Sequence, residues 1–372
     1  MKIAIVHDEL IRRGGAEQFT LRLHKAFPTA PIYTSCFNAD KTYSDYSTCD
    51  VHTSWISPFI KDEKVWKRIF YPFGIWAMKR IKLEGFDVVL ISTTSCAKYV
   101  RVSPQTKVVA FCHYPFRLAW FPESYTQVAA SKGFMKIMYS LVVSRLRKID
   151  FKAAKRIDWF ITNTSEIGQL IKSCYQPKRE VLIVPSSIVC SDFYVDNNST
   201  SDYYLIVSRL EPYKKVNIVI EAFNTLPDKK LIIVGRGSQK DQYKKMAHEN
   251  IEFVEGLSKE EIAHLYANCK AFIFPQQEDF GLTPIEANAS GKPVIAYGKG
   301  GVLHTTLFIS DNSLKSTSFL FYEQTSEAIV QSIRQFEKLE YDSSFIRKQA
   351  EQFDESVFVE KMQKIVSEIH NN

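Results

Sequence analysis

Short apolar runs rich in β-branched and aromatic residues alternate with helix-length segments along this chain, in two separate series. The strand-like runs are residues 2–7, 31–35, 87–92, 107–112, 158–162 and 181–184, and then residues 203–208, 230–234, 251–254, 271–274, 293–296 and 319–321. Strands that alternate with helices predict a parallel sheet covered on both faces. The sequence therefore predicts an α/β fold of two doubly wound, Rossmann-like domains.

A polar stretch rich in Asn, Ser and Asp divides the two series and predicts a linker over residues 190–202. The first domain is then residues 1–189 and the second is residues 203–354. The tail, residues 355–372, predicts an amphipathic helix with Phe358, Met362, Ile365 and Ile369 on one stripe. Because open α/β sheets bind ligands beyond the carboxyl ends of their strands, we expect a ligand cleft between the two domains.

Composition excludes several classes of protein. The 372 residues are 45% hydrophobic and 24% charged, which rules out a chain that is disordered, collagen-like or coiled-coil throughout. No apolar run reaches the ~18 residues of a membrane span, and the apolar run at the N-terminus is too short for a signal peptide. Seven cysteines without a CxxC pair argue against a disulfide framework and a structural zinc site. We therefore expect a cytoplasmic protein.

Positive charge is concentrated in the first half of the chain. Residues 1–185 hold 28 Lys and Arg against 15 Asp and Glu, a net charge of +13, and the remainder has a net charge of −6. An anionic membrane surface or a nucleic acid would suit the first half. A nucleic-acid binder would need basic residues around an aromatic platform, and the candidate ligand residues described below argue against that function.

Two stretches of the first half mix basic residues with large apolar ones. In residues 56–82 the aromatic residues are Trp66, Phe70, Tyr71, Phe73 and Trp76, and the basic ones are Lys61, Lys64, Lys67, Arg68, Lys79, Arg80 and Lys82. Residues 132–156 repeat the theme, with Phe134, Met135, Ile137, Met138, Leu141 and Val142 as apolar partners. Such surfaces predict peripheral binding to the anionic inner leaflet. The alternative is that the aromatic residues are core and the charges a solvated face.

Two loops that follow first strands carry candidate phosphate ligands. Gly14 and Gly15 lie between the strand at 2–7 and a helix, where backbone N–H groups can approach an anion, although a simple turn would look the same. Arg209 and Lys214 follow the strand at 203–208, and two such cations can hold a diphosphate. The alternative for that pair is a solvated basic loop.

Residues 274–293 form the most informative stretch. Pro284 is placed as a first-turn helix proline and Gly291 as a C-terminal cap, which predicts a short helix between them. The N–H groups of Gly281, Leu282 and Thr283 would then face the ligand, next to Phe280. Glu278 on the loop and Glu286, expected in the first helical turn, can accept hydrogen bonds from vicinal hydroxyls of a sugar or ribose. The alternative is a surface Glu and a Glu that complements the helix dipole.

Two further candidates follow strands of the first domain. His113 comes directly after the strand at 107–112, and Asp8 directly after the strand at 2–7. A lone histidine is more often structural than catalytic, but this position is where a ligand is expected. Asp8 is a candidate on the acceptor side.

These motifs, in this order, resemble the family 4 retaining glycosyltransferases of the GT-B fold over nearly the whole chain. Glu278 and Glu286 match the family's E-x7-E element, Gly14 and Gly15 its glycine loop, and Arg209 with Lys214 its phosphate-binding pair. Residues 112–120 and 321–325 resemble a subgroup of bacterial mannosyltransferases that build O-antigen-like polysaccharides. The chain departs from the family pattern at His304 and Ser318.

The resemblance implies a role for each matched residue. Arg209 and Lys214 would hold the nucleotide diphosphate, Glu286 the ribose and Glu278 a hydroxyl of the donor sugar. His113 would contact the sugar near the reacting carbon, and Gly15 would offer its backbone N–H to the phosphate. The last helix would cross back onto the first domain, as in GT-B folds generally.

The predicted activity is transfer of a hexose from a sugar nucleotide, with GDP-mannose favoured, to a lipid-linked glycan. UDP- or dTDP-sugar donors and a non-catalytic sugar-nucleotide-binding protein are the alternatives. A dinucleotide-dependent oxidoreductase would need a G-x-G-x-x-G fingerprint after the first strand, and this chain has only Gly14 and Gly15 there. Fixed cations and helix N–H dipoles can stabilise the departing diphosphate, so no metal and no other cofactor is expected.

Overall fold

A computed structural model describes residues 1–60, 62–196, 201–309 and 312–371, apart from the side chains of Lys67, Arg68, Tyr71, Thr126 and Gln127. The chain divides into two units. Unit 1 comprises residues 1–185 and 358–372, and unit 2 comprises residues 186–357.

Unit 1 is built on a parallel sheet. Its strands are β1 (Ile3–His7), β2 (Ile32–Thr34), β3 (Val51–Thr53), β4 (Lys82–Leu83), β5 (Val88–Thr93), β6 (Arg101–Val102), β7 (Lys107–Cys112), β8 (Trp159–Thr162) and β9 (Leu182–Ile183). The main sheet has the order β3-β2-β1-β5-β7-β8-β9, and β4 pairs separately with β6. Ile5 lies opposite Leu90, and Leu90 opposite Val109, in the centre of the sheet.

Helices cover both faces of this sheet. They are α1 (Gly15–Ala26), α2 (Glu63–Ile69), α3 (Ile75–Arg80), α4 (Arg117–Trp120), α5 (Thr126–Ala129), α6 (Gly133–Ala154) and α7 (Ser165–Tyr175). Successive residues of β1 enter different cores: Ala4 and Val6 pack in one cluster, and Ile3 and Ile5 in the other. Strands that are apolar on both faces require this double covering.

Unit 2 repeats the plan with β10 (Tyr203–Val207), β11 (Lys230–Val234), β12 (Ile251–Val254), β13 (Ala271–Phe274), β14 (Val294–Tyr297) and β15 (Ser318–Phe321). Its helices are α8 (Val216–Asn224), α9 (Lys240–Met246), α10 (Lys259–Asn268), α11 (Leu282–Ala289), α12 (Val302–Thr305), α13 (Ser326–Phe336) and α14 (Ser343–Glu351). The sheet is parallel, with the order β12-β11-β10-β13-β14-β15. The carboxyl ends of β10 and β13 are therefore neighbours.

The tail forms α15 (Glu355–Asn371), most of which belongs to unit 1. Phe358, Met362 and Ile369 are buried on its inner face, as the stripe predicts, whereas Ile365 is only partly buried. The ring of Phe358 lies 5.2 Å from that of Phe19 on α1. The last helix thus packs on the sheet of the first unit.

The expected linker has another structure where it is described. Ile188 donates its N–H to the carbonyl of Phe353 at 2.9 Å, and Cys190 is buried, so residues 186–196 pack within unit 2. The chain enters this unit before residue 190 because apolar side chains there find a core. Residues 197–200 of the predicted linker lie outside the described residues.

A buried ion pair fixes the second half of α6. Asp150 is fully buried and accepts from Lys98 Nζ at 2.8 Å, from Tyr99 Oη at 2.9 Å and from Trp120 Nε1 at 2.9 Å. Removing one partner of such a pair leaves an uncompensated buried charge and costs roughly 3–5 kcal/mol. The C-terminal part of α6 is therefore firmly attached to unit 1.

The aromatic residues of the 56–82 stretch divide between core and surface. Trp66 and Phe70 are buried, which corrects their assignment to a surface, whereas Phe73 and Trp76 are about half exposed. Lys61 and the side chains of Lys67, Arg68 and Tyr71 lie outside the described residues. No helix in the described parts of the chain has the length and apolar character needed to cross a bilayer.

Candidate functional site

Lys214 and Glu278 form an ion pair at the carboxyl edge of the unit 2 sheet. Lys214 lies on the loop after β10 and donates from Nζ to Oε1 of Glu278, on the loop after β13. The lysine side chain is 11% exposed and that of the glutamate 27% exposed. The pair thus places a cation and a carboxylate together where a parallel α/β sheet binds its ligand.

The position of Glu278 is fixed by its neighbours. Gly301 donates its N–H to the Glu278 carbonyl at 2.7 Å, and a Cβ at Gly301 would lie 2.3 Å from Cα of Phe280. Only glycine permits this approach of two backbones. Gln276 is buried and donates from Nε2 to Glu278 Oε1 at 3.0 Å. The loop therefore holds the Glu278 side chain against Lys214.

Helix α11 begins next to this loop. Gly281 caps it with a φ of 90°, a conformation that L side chains rarely adopt, and Leu282 and Thr283 follow as its first residues. The first amide groups of a helix have no partner within the helix and carry partial positive charge. The Phe280 ring is buried in the core, so its backbone is the part that can face a ligand.

Glu286 is held by a tyrosine that the sequence analysis did not identify. It is the fifth residue of α11, one position beyond the first turn, and its Oε2 accepts from Tyr266 Oη at 2.9 Å. Tyr266 is completely buried on α10. A fixed carboxylate of this kind can accept from vicinal hydroxyls with its remaining oxygen sites.

Arg209 lies on the same loop as Lys214 but is exposed. Its Nη2 donates to Tyr213 Oη at 2.6 Å, and the Lys214 ammonium lies 5.3 Å from the centre of the Tyr213 ring. Tyr213 is thus in contact with both predicted phosphate ligands. No motif pointed to this tyrosine, because its role depends on how the loop folds.

In unit 1, the Asp8 carboxylate is buried and engaged by the turn after β5. It accepts from the backbone N–H groups of Thr94, Ser95, Cys96 and Ala97 at 2.6–3.0 Å and from two threonine hydroxyls. Burial opposes the charge, but His7 and the amide donors outweigh it and hold the pKa of Asp8 below its ordinary value. This geometry fixes the turn, and the acceptor-side role of Asp8 stays a prediction.

His113 is partly buried at the end of β7 and is backed by a polar chain. Its Nε2 lies 3.0 Å from Ser92 Oγ, which lies 3.2 Å from Nδ1 of His7, and Thr20 Oγ1 lies 2.9 Å from the same Nδ1. Burial and the neighbouring His7 lower the pKa of His113 to about 3, although Asp8 opposes this shift. His113 is therefore a neutral imidazole at physiological pH, able to make a hydrogen bond but not to act as a cation.

The glycine loop leads directly into α1. Gly14 is the N-cap residue, and a Cβ there would lie 2.5 Å from Glu17 Oε2. Gly15 is the first helical residue, and an added Cβ would meet no atom within 4 Å. The surface at Gly15 is therefore open, as an approach to a ligand requires.

One arginine fixes this loop through three glutamate side chains. Arg12 donates to Glu9 at 2.9 Å, Glu17 at 2.9 Å and Glu63 at 2.7 Å. Burial raises the pKa of Glu9 to about 8; Arg12 opposes the shift, and the neighbouring carboxylates add to it. The sequence analysis did not identify this cluster, because Glu63 is distant along the chain.

Within the described residues, no group of three His, Cys, Asp or Glu side chains is arranged to hold a metal ion. The candidate site of unit 2 instead combines Lys214, Arg209 and the start of α11 with two carboxylates. Such a set suits a ligand that carries both phosphate and hydroxyl groups.

Two parallel α/β units with a final helix on the first define the GT-B glycosyltransferase fold, and comparison with solved structures agrees. The structure of Anabaena Alr3699/HepE in complex with UDP has a TM-score of 0.71 at 17% identity, covering 99% of this chain and 100% of that chain. The predicted GT-B fold is therefore confirmed.

Sequence comparisons indicate the class of enzyme to which the chain is similar. Residues 192–356 match the family model for glycosyl transferases group 1. The chain is 22% identical to the alpha-1,3/1,6-mannosyltransferase ALG2 of Candida glabrata, over 86% of this chain and 81% of the relative. It is also 22% identical to the O-antigen chain mannosyltransferase RfbU of Salmonella typhimurium, over 64% of this chain and 65% of the relative. These comparisons support a glycosyltransferase.

Proposed function

We propose that this chain transfers mannose from GDP-mannose to a lipid-linked glycan, with retention of anomeric configuration, in the synthesis of a cell-surface polysaccharide. The observation that carries the proposal is the pairing of Lys214 with Glu278 beside the first residues of α11. Two relatives described as mannosyltransferases, one of them an O-antigen chain enzyme, support the choice of sugar and product.

The first chemical requirement is to stabilise the leaving group. When the bond between the anomeric carbon and the phosphate oxygen breaks, negative charge develops on the departing diphosphate. Lys214 supplies a compact cation, Arg209 a planar fork of donors and the start of α11 a set of aligned amide groups. Fixed donors of this kind stabilise developing charge by several kcal/mol in total.

The second requirement is to orient the sugar nucleotide. Glu278 would accept from a hydroxyl of the mannose, and Glu286, oriented by Tyr266, would accept from the ribose. His113, as a neutral imidazole, would make a hydrogen bond to the sugar. Gly14 and Gly15 would offer backbone N–H groups to the phosphate.

The acceptor must lose a proton as its bond to the anomeric carbon forms. We propose that the departing phosphate oxygen takes this proton on the same face, which preserves the configuration. Asp8 is engaged by the turn beside it and serves in this proposal as a positioning residue on the acceptor side. No metal enters the reaction, because the cations and amide dipoles supply the charge stabilisation.

The proposed acceptor determines where in the cell the enzyme would act. A lipid-linked glycan is anchored in a bilayer, so we propose that the enzyme binds peripherally to the inner face of the cytoplasmic membrane. The +13 net charge of residues 1–185 supports attraction to an anionic leaflet.

A panel of donors tests the proposal. Purified protein is heated with GDP-mannose, UDP-glucose, UDP-N-acetylglucosamine and dTDP-glucose, because a ligand that binds the native state raises the unfolding temperature. GDP-mannose should give the largest shift. The Anabaena neighbour in complex with UDP favours a UDP-sugar as the second candidate donor. A larger rise in unfolding temperature with UDP-glucose than with GDP-mannose would make a UDP-sugar the proposed donor instead.

Turnover separates an enzyme from a binding protein. The protein should release GDP from GDP-mannose when a lipid-linked acceptor is added, and NMR of the product should show the donor's α configuration. A chelator should leave the rate unchanged. Donor binding without release of GDP in the presence of acceptor would favour a non-catalytic sugar-nucleotide-binding protein.

A further inference from the structure

The solvent-facing side of α6 changes from apolar to basic along its length. Its first turns expose Phe134 (73%), Ile137 (60%), Met138 (44%) and Leu141 (64%). By the 3.6-residue period, Arg145, Lys148 and Lys152 continue the same side of the helix, and all three are exposed. The apolar end of α6 is defined as these four apolar residues, and the basic end as these three cations.

Helix α6 packs against unit 1 from Val142 and Val143 onward. Its buried residues are Val143, Leu146, Asp150, Ala153 and Ala154, so none of the first ten residues of the helix is fully buried. At 1.5 Å per residue, the apolar end extends along ~11 Å of helix. Because Asp150 is held by three donors, this exposed end projects from a fixed base.

The surroundings of α6 favour an anionic partner. From Ser124 to Ile149 the sequence contains five Lys or Arg residues and no Asp or Glu. Near the basic end, burial and the positive charges of Arg156, Lys152 and Arg101 lower the pKa of Lys79. Several cations therefore lie close together, and an anionic surface would relieve their mutual repulsion.

Exposed aromatic residues of the same unit suit a bilayer interface. Trp76 is 44% exposed, and the Arg80 guanidinium lies 4.0 Å from the centre of its ring. Trp55 contacts it, with ring centres 5.0 Å apart. Tryptophan and arginine are favoured at the headgroup level of membranes, because each side chain has an apolar body and a polar or charged tip.

We propose that the apolar end of α6 inserts between the lipids of an anionic bilayer while its basic end binds the headgroups. A folded soluble protein rarely exposes four large apolar side chains on one helical stripe without a partner. The stripe continues into cations, which matches the change from acyl chain to anionic headgroup. The inference deepens the proposed function, since it gives the lipid-linked acceptor a surface from which to reach the enzyme.

Flotation with vesicles tests the proposal. Full-length protein is mixed with vesicles of phosphatidylcholine alone or of phosphatidylcholine with phosphatidylglycerol, at low and high salt. The wild type should float with the anionic vesicles at low salt. Phe134→Ser/Leu141→Ser should lower the partition coefficient between vesicles and water about tenfold or more, since two large apolar side chains that would move from water into the bilayer are removed. Leu314→Ser, a change at a leucine of unit 2 that is about half exposed, is the control and should float as the wild type does.

The charge contribution is measured separately. Arg145→Gln/Lys148→Gln should weaken flotation at low salt and flatten its salt dependence, whereas Lys348→Gln on α14 should not. Insertion is read from quenching by brominated lipids, compared with the wild type and its five native tryptophans. Phe134→Trp should lose a larger fraction of its emission than the wild type, whereas Leu314→Trp should lose a smaller fraction, because its added tryptophan stays in water. Unchanged unfolding temperatures show that the variants are folded.

Two results would overturn the inference. One is flotation of Phe134→Ser/Leu141→Ser equal to that of the wild type, or no flotation of the wild type with anionic vesicles. The other is a dimer of the wild type, by light scattering without vesicles, that this double variant makes monomeric, because a second copy would then cover the stripe. The donor panel is measured without vesicles, so loss of donor binding with intact flotation contradicts only the proposed function.

Discussion

Lys214 Nζ donates to the carboxylate of Glu278 and so joins the loops that follow β10 and β13, two neighbouring strands of the unit 2 sheet. The pair holds a cation and an anion in place without a ligand. A sugar nucleotide would break this ion pair, because its phosphate competes for the lysine and its sugar hydroxyls compete for the glutamate.

Removing the lysine should therefore affect catalysis in two ways. Lys214→Met loses a stabiliser of the departing diphosphate and leaves the Glu278 carboxylate to repel it. We expect turnover to fall at least ~100-fold with little change in the unfolding temperature. Lys230→Met, which removes a cation from the opposite end of the same sheet, is the control and should keep its activity.

A double variant separates the two effects. Lys214→Met/Glu278→Gln should bind GDP more tightly than Lys214→Met, because the repelling carboxylate is gone, yet turnover should stay low. Calorimetry with GDP and a GDP-release assay measure both quantities. Equal GDP affinities in the single and double variants would show that the pair does not act on the diphosphate.

The two carboxylates should differ in what they bind. Glu286→Ala should weaken GDP and GDP-mannose alike, since its partner is the nucleotide, whereas Glu278→Ala should mainly weaken GDP-mannose. Tyr266→Phe, which removes the donor that fixes Glu286, should reproduce part of the Glu286→Ala loss. Calorimetry with both ligands is the measurement, and equal losses for both ligands in Glu278→Ala would contradict the assignment.

Much of the fold could be predicted because parallel strands buried on both faces form continuous apolar runs. Every run named in the sequence analysis forms a strand. The strands that were not predicted, β3, β4 and β6, are short, and each includes a His, Lys or Arg residue and is partly exposed, so none of them forms a continuous apolar run. The division of the aromatic residues between core and surface could not be predicted from composition, since Trp66 is buried while Trp76, on the next helix, is about half exposed.

The candidate site was predictable residue by residue but not as a set of contacts. Glu278 and Lys214 are 64 residues apart, and their contact depends on β10 lying next to β13. Tyr266 has no motif, and its bond to Glu286 depends on how α10 packs beside α11. Such partners are set by tertiary packing, which single-sequence patterns do not record.

The glycine loop allows a test that separates folding from ligand contact. Gly15→Ala adds a methyl group into open space, so the unfolding temperature should hold or rise slightly with the better helix former. If the Gly15 backbone approaches the donor phosphate, activity should nevertheless fall at least ~10-fold, because the methyl group occupies that approach. Gly14→Ala should instead lower stability, since its Cβ would crowd Glu17 Oε2, and this buried side chain cannot move away without losing its hydrogen bond from Arg12. Full activity in Gly15→Ala would remove this residue from the donor site.

The buried Glu9 predicts how stability depends on pH. Its pKa is about 8 in the native protein and about 4.5 in the unfolded chain, so between these values the native state holds a proton that the unfolded state has lost. The contribution of this proton to the free energy of unfolding is fully present below pH 4.5. It is lost as the pH rises through 8, by up to about 1.4 kcal/mol per pH unit. Denaturant unfolding between pH 6.5 and 8 measures it. The histidines whose pKa values are lowered, His7, His24 and His113, still contribute near pH 6.5, so the slope due to Glu9 is read as the difference between the wild type and a variant at Glu9. Glu9→Gln keeps an acceptor for Arg12 but cannot titrate, so its stability should decline less over this range than that of the wild type. Glu84→Gln, at an exposed position, should follow the wild type, and parallel curves for Glu9→Gln and the wild type would show that Glu9 is already ionised.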